Sequence, residues 1–409
     1  MDLSRRALMG SLGVASAALP LAARAVPSML TALPDKASYD FHGTYLNAAY
    51  AHPLNRIVRK AGNDFLMSRA DSEVTRAWPR DNPRNAAVAK FAALINASPD
   101  DIAVVPSTME GENHVAAALG LNEHAGVVTD VYHYDASLIL YGERQKAGMP
   151  LTVLTSKNNR IELADVERAI TPRTKLVAVS HVASDTGFQH DLKALCDVAH
   201  RKGAYVYADI VQSAGAIPLD VKAAGVDFAC SGAYKWLMAD FGVAFLYVRP
   251  DRVGELKRTA VGWRSATDTQ SHAYPFDPPG PPVGSWKMRD TAAGKFEVST
   301  PSWIGLSMLI ASIDYISQIG VARIAAHRAP LIARLREELP KRGFAPMTPP
   351  ETQGPIVTFA YQDAQKKLEP ILKAANIKVT LGSNRMRVSP SVYNDMGDIE
   401  KLLQALPKA

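Results

Sequence analysis

Between Lys175 and Asp209 the chain reads KLVAVSH, DLKALCDVAHRKG, AYVYAD: an apolar run, an amphipathic stretch, and a second apolar run. The middle stretch puts Leu192, Leu195, Val198 and Ala199 on one helical face and stops at Gly203. Two strands joined by a helix lie parallel, with a right-handed crossover, and a sheet built this way binds ligands beyond the carboxyl ends of its strands. The alternation recurs on both sides. Ile102 to Val105, VVTD, LTVLTS, DFACSG and GVAFLYV read as strands, and the segments after Ser107, from YHYDASL onward, and from Glu162 to Ala169 read as helices. The expected fold is therefore α/β with a mostly parallel sheet.

At the strand ends lie the residues that carry chemistry. Lys235 in SGAYKWL follows Val226, Phe228 and Ala229 and precedes Trp236 and Leu237. An ammonium carried into such surroundings is costly unless it loses its proton or condenses with an aldehyde to an imine, which is how a lysine holds pyridoxal phosphate. Asp209 ends its strand 26 positions earlier, with Gln212 three residues on. A carboxylate at a strand end and a lysine in an apolar pocket suit a ring that needs an anion at its pyridinium nitrogen and an imine at its aldehyde carbon. Each residue has a plainer reading, Lys235 as a snorkelling surface lysine and Asp209 as a helix cap. Ser107 and Thr108 begin a helix, where free N–H groups and the dipole favour a phosphate; a simple cap is the alternative, and the two roles coexist. Tyr134 follows a strand, placed to stack on a cofactor face or to be a half-buried surface tyrosine. His181 falls at a strand end beside Asp209, either bordering the ring or as a satisfied core histidine.

Composition removes other classes. With 409 residues, 47% hydrophobic and 21% charged, the chain can bury a large core, and its net charge of +6 forms no basic stripe, so no nucleic-acid partner is expected. Two cysteines and ten scattered histidines give neither a disulfide framework nor metal-ligand spacing. The N-terminus combines Ser4, Arg5 and Arg6 with a short run of small apolar residues and Ala23 and Ala25 in an AxA arrangement. This is the pattern of a twin-arginine export signal cleaved after Ala25, too short for a membrane span, and it predicts a periplasmic or exported protein. The divisions expected are a signal at 1–25, a large domain at 26–320 that begins with a tail to about Ala37, and a smaller C-terminal α+β domain at 321–409. Trp78 to Asn85 should break the chain, Arg264 to Gly284 should be a long loop, and Pro330 should kink or interrupt a helix from Ile324 to Leu339.

The segments LNAAYAHP, STMEGEN, SHVASDTG, ADIVQSAG, SGAYKWL, FEVSTPSWIG and RMRVSPSVYN come in an order that resembles class V aminotransferases of the fold-type I pyridoxal phosphate superfamily. That group holds cysteine desulfurases, kynureninase and isopenicillin N epimerase. The resemblance implies pyridoxal 5'-phosphate as cofactor, Lys235 as the Schiff-base lysine, Asp209 as the pyridinium partner and Gln212 as donor to the ring hydroxyl. It further implies Tyr134, or its neighbour His133, as the stacking ring, and Thr108, Met109 and Ser231 near the phosphate. Thr300 matches a position that reaches a neighbouring subunit's phosphate, implying a homodimer with shared active sites, and Arg387 matches the arginine that clamps a substrate carboxylate. Tyr234 stands where the family usually has histidine, MADFG replaces the usual glycine and proline, and VTLGSNRMR lacks the cysteine that a desulfurase needs.

The expected function is a pyridoxal phosphate enzyme acting on an amino acid through an external aldimine, as a transaminase, epimerase or C–S lyase. A non-catalytic protein of the same fold binding a ligand outside the cytoplasm, and a structural dimer, are the competing classes; neither gives Lys235, Asp209 and Arg387 a joint use. The export signal is tested by replacing Arg5 and Arg6 together with lysine, which keeps both charges and the apolar run. Fractionation should then find the protein retained in the cytoplasm; equal periplasmic amounts of both versions would exclude a twin-arginine signal.

Overall fold

The computed structural model describes residues 31–71 and 83–408. The proposed signal at 1–25, the first residues of the expected tail and residues 78–82 of the expected break lie outside them. Seven strands form the central sheet: β1 (Ile102–Val105), β2 (Gly126–Asp130), β3 (Leu151–Leu154), β4 (Thr174–Ser180), β5 (Tyr205–Asp209), β6 (Phe228–Gly232) and β7 (Ala244–Val248). Their spatial order is β1-β7-β6-β5-β4-β2-β3. The pairs from β6 through β5, β4 and β2 to β3 are parallel, and only β7 runs antiparallel to both its neighbours. The fold-type I α/β architecture is thus present, with Asp209 opposite Ser180 and Cys230 at the carboxyl edge.

Strands β5, β6 and β7 are buried almost throughout because helices cover both faces, as a parallel sheet requires. On one face, helices Pro83–Leu94, Leu192–Arg201 and Trp303–Ile319 pack Phe91, Leu195, Val198 and Leu309 against Val206 and Phe245. The Phe91 and Phe245 rings stack there with centroids 4.4 Å apart. On the other face, helix Thr108–Ala118 and Tyr141 pack on Leu176, Tyr207 and Phe228. The 192–201 helix begins as its pattern predicts, with Asp191 accepting from the Ala194 amide at 3.0 Å, and Gly203 beyond its end takes φ +80.

After Gly320 the chain builds a second layer. Strands Ala345–Pro346, Val357–Ala360, Thr380–Gly382 and Arg385–Val388 form an antiparallel sheet. Its core of Leu331, Leu335, Phe359, Leu368, Met386 and Leu402 also takes Leu46 from the N-terminal segment. Thr44–Tyr45 pairs in parallel with Ile377–Lys378, so residues near 46 are shared between the two layers.

Four local expectations are corrected or narrowed. Residues 35–39 are docked and not a tail: Asp35 accepts from Tyr315 Oη at 2.8 Å, and the Tyr39 ring lies 4.8 Å from that of Tyr393. The 264–284 stretch is bounded by a β-ribbon, Ala266–Gln270 against Ser285–Met288. Of the two outcomes expected at Pro330, interruption does not occur, since helix Val321–Glu338 continues past it. The strand expected from Ile377 to Leu381 is split in two, its halves pairing with different partners. Among the described residues no single helix is long and apolar enough to cross a membrane.

Because Phe91 is fully buried in the larger core, Phe91→Ala leaves an aromatic-sized cavity and should cost about 3–5 kcal/mol. Urea unfolding followed by circular dichroism should show this as a lower midpoint; a loss under about 1 kcal/mol would mean that the core collapses around the gap.

Candidate active site

Lys235 lies in the turn after β6, and its side chain is almost completely buried. No carboxylate among the described residues forms an ion pair with it. Burial removes water from the ammonium and lowers its pKa to about 8, a shift partly opposed by the negative charge of Asp209 and assisted by the positive charge of Arg387. Asp209 is itself buried, and this raises its carboxyl pKa; the Val211 amide, donating to Oδ1 at 2.9 Å, and the charge of Lys235 work the other way. A buried amine and a buried carboxylate therefore feel each other's charge without closing into a direct pair.

Two tyrosines flank the amine. Lys235 Nζ is 6.0 Å from the Tyr134 ring centroid and 5.7 Å from that of Tyr234. Tyr134 is 42% exposed, at the start of helix Asp135–Lys146. Tyr234 stacks on the exposed Phe241 ring at 4.4 Å. His133, the alternative stacking ring, is placed elsewhere: it is buried with Nδ1 3.0 Å from Ser180 Oγ and Nε2 2.9 Å from Glu112 Oε1. Burial opposes its charge, but Glu112, with the more distant charges of Asp209 and Asp130, raises the His133 pKa. Glu112 also accepts from Ser137 Oγ at 2.6 Å.

The helix N-terminus expected at Ser107 and Thr108 is present. Ser107 Oγ caps it by accepting from the Glu110 amide at 3.2 Å, so the Thr108 and Met109 N–H groups have no acceptor within the helix. Thr108 Oγ1 accepts from the Gly232 amide at 2.9 Å, tying this helix to the turn that carries Lys235. Ser231 is buried at the end of β6, its hydroxyl 3.4 Å from the Gly232 carbonyl. Gln212 receives a hydrogen bond from Trp236 Nε1 at 2.8 Å and donates to the Ala49 carbonyl at 3.1 Å, which leaves one amide N–H for a ligand. His181 donates its backbone N–H to the Asp209 carbonyl at 2.9 Å and contacts Ser213 Oγ through Nδ1 at 3.0 Å. Burial and neighbouring His190 push its pKa down to about 3, so it is neutral. It also lines a cavity of about 380 Å³ with Gln189 and Glu351. Thr300 is exposed in a groove of about 360 Å³ with Pro106, Glu110 and Gly242.

Arg387 reaches the site from the smaller sheet. It is buried, and its Nη1 donates to the Ser184 carbonyl at 2.7 Å while Nη2 donates to Thr380 Oγ1 at 2.8 Å. Asn47 Oδ1 is 3.5 Å from Nη2, and Nε has no partner. It is Arg385, and not Arg387, that makes an ion pair across to the larger sheet's loops, reaching Asp185 Oδ2 at 2.7 Å. Arg387 thus keeps an uncancelled charge, and burial lowers its pKa to about 10. Asn47, Ser184, Glu112 and Trp236 all lie inside segments that the sequence singled out, but their roles were not legible there, because they come from contacts between segments far apart in the chain.

Buried amine, strand-end carboxylate, helix N-terminus, free amide N–H and flanking ring match the donors that a pyridoxal phosphate needs, so the residues fit that cofactor. Comparison with known proteins agrees. The family described as aminotransferase class-V matches residues 82–402. The chain is 28% identical over 348 residues to an uncharacterised aminotransferase of Bacillus subtilis, covering 85% of this chain and 88% of that one. It is 28% identical over 275 residues to isopenicillin N epimerase of Amycolatopsis lactamdurans, covering 63% and 65%. The structure of the cysteine desulfurase CsdA of Escherichia coli superposes with a TM-score of 0.78 at 20% identity, over 92% of this chain and 98% of that one.

Only the neutral amine of Lys235 can attack an aldehyde, so uptake of pyridoxal phosphate by the apoprotein should speed up as pH rises through about 8. Arg387→Met removes a cation that lowers this pKa, and the midpoint of the uptake profile should move to higher pH. Stopped-flow absorbance over pH 6 to 10, a range chosen to bracket that value, checks both; an unmoved midpoint would mean that Arg387 does not act on the lysine.

Proposed function

We propose, from the premise that this chain belongs to the class V aminotransferase family, that it is a pyridoxal phosphate enzyme removing the Cα proton of an α-amino acid. When bound, the cofactor supplies an electron sink that acidifies the Cα–H bond of the attached amino acid. Lys235 is the residue to which the cofactor attaches and, once released, the base that takes or returns the proton. Asp209 keeps the ring nitrogen charged. Tyr134 would lie against the ring, the Thr108 and Met109 amides with Ser231 would hold the phosphate, and Gln212 would donate to the ring hydroxyl.

The observation that carries this reading is Arg387. A buried guanidinium with an unpartnered Nε and no carboxylate of its own is costly to maintain unless a ligand completes it. Its planar donors suit a carboxylate, which points to α-amino acids over simple amines. Desulfuration is disfavoured, because Cys196 and Cys230 are the chain's only cysteines and both are buried with raised thiol pKa values. The two residues between Thr380–Gly382 and Arg385–Val388 are Ser383 and Asn384, so no mobile cysteine loop precedes Arg387. Transamination, epimerisation and C–S lysis all begin with the proposed proton step. A homodimer would give Thr300 a use, bringing it to the partner's phosphate site.

The reading is tested by incubating holoenzyme with a panel of amino acids in heavy water and following Cα–H exchange by NMR. At least one amino acid should exchange, and Arg387→Lys should raise its KM sharply while leaving the visible absorbance and the melting temperature unchanged. A variant with normal KM but lowered melting temperature would make Arg387 a structural residue, and simple amines would then be the substrates to try. No exchange with any amino acid would favour a non-catalytic ligand binder.

A further inference from the structure

Among the described residues Arg328, like Arg387, is a buried arginine without an acid. It projects from helix Val321–Glu338 and is 1% exposed. Burial lowers its pKa to about 9, with no neighbouring charge to offset it. Nη2 donates to the Ala216 carbonyl at 2.9 Å, the guanidinium carbon is 5.3 Å from the Trp236 ring centroid, and Nη1 has no partner. For packing alone, a methionine would fill this place without burying a charge.

Its two contacts define what the charge does. Ala216 ends the turn that leaves Asp209 and contains Gln212 and Ser213, while Trp236 directly follows Lys235. The same Trp236 donates its Nε1 proton to Gln212 Oε1 at 2.8 Å. Between these turns the backbones nearly touch: Gly215 has φ +83, and a Cβ there would come within 2.5 Å of the Trp236 carbonyl oxygen. Such an approach needs something to hold the two turns in register. A carbonyl accepts from one edge of a guanidinium while an indole receives its face, so a single planar cation satisfies both.

We propose that Arg328 is a positioning residue for the cofactor, pinning the Gln212 turn and the Lys235 turn to each other from behind through Ala216 and Trp236. Lysine reproduces the charge over the indole but not the planar contact with both turns. Methionine keeps the volume and abolishes both contacts.

The test measures cofactor affinity and apoprotein stability side by side. Equilibrium dialysis of apoprotein against pyridoxal phosphate should show Arg328→Met binding at least tenfold more weakly than wild type, with Arg328→Lys between them. The melting temperature of apo Arg328→Met should equal or exceed that of wild type, because an uncompensated buried charge has gone. Trp236→Phe removes the proton given to Gln212 and weakens the cation contact, and it too should weaken cofactor binding. Wild-type affinity in Arg328→Met or in Trp236→Phe overturns the proposal; so does an Arg328→Met apoprotein that melts lower or does not fold, since the arginine would then be a scaffold residue. The inference rests on the cofactor placement proposed above, for which Lys235→Ala is the control. If Lys235→Ala keeps a borohydride-sensitive visible absorbance, that placement fails; if it loses the absorbance while Arg328→Met binds normally, only the role of Arg328 fails.

Discussion

Removal of water from the Lys235 ammonium is the constraint on which the rest of the site depends. A lysine in water keeps its proton near pH 7 and is a poor nucleophile; one stripped of water and set near another cation gives it up far more readily. The chain achieves this with Asp209 close enough to oppose the shift, yet bonded to the Val211 amide and not to the amine. A closed ion pair would have trapped the lysine in its charged form. The sheet makes the arrangement possible, because neighbouring parallel strands β5 and β6 end at the same edge and release their turns into the same space.

Around that amine the protein keeps polar groups incompletely matched. Arg387 retains an unpartnered Nε, and Gln212 keeps one N–H after serving Trp236 and Ala49. Behind the pocket, Ser180, His133, Glu112 and Ser137 form a linear chain of hydrogen bonds, and His190 sits 3.0 Å from Asp130. The Glu112 and Asp130 contacts hold the strand ends in place, while Arg387 and Gln212 keep donors free beside the amine.

The two layers meet at this site. Asn47 comes from the N-terminal segment, Ser184 and Asp185 from the loop after β4, and Thr380, Arg385 and Arg387 from the smaller sheet. The half-exposed Arg385–Asp185 pair joins the layers at the surface, where such a pair contributes little to stability and is easily exchanged. Beneath it Arg387 bonds only to neutral oxygens. Each layer thus supplies part of the surroundings of Arg387.

The sequence by itself determined the α/β class, the places where strands end, and the residue types at those ends. Short apolar runs such as AFLYV, bounded by turn residues, suit buried strands, and the DLKALCDVAHRKG pattern suits a helix with one apolar face. The positions of Lys235, Asp209 and the Ser107–Thr108 helix start were legible for that reason, since each lies at or just after the end of a strand whose boundary is set by local chemistry. Only the tertiary structure decided which of two adjacent rings faces the amine, since His133 and Tyr134 differ in direction and not in position along the chain. It also decided that Arg385 and not Arg387 takes the acid, that residues 35–39 are docked, and that Arg328 stands behind Trp236. These are contacts between segments many tens of residues apart, governed by volume and by the cost of burying charge; periodicity along the chain carries no record of either.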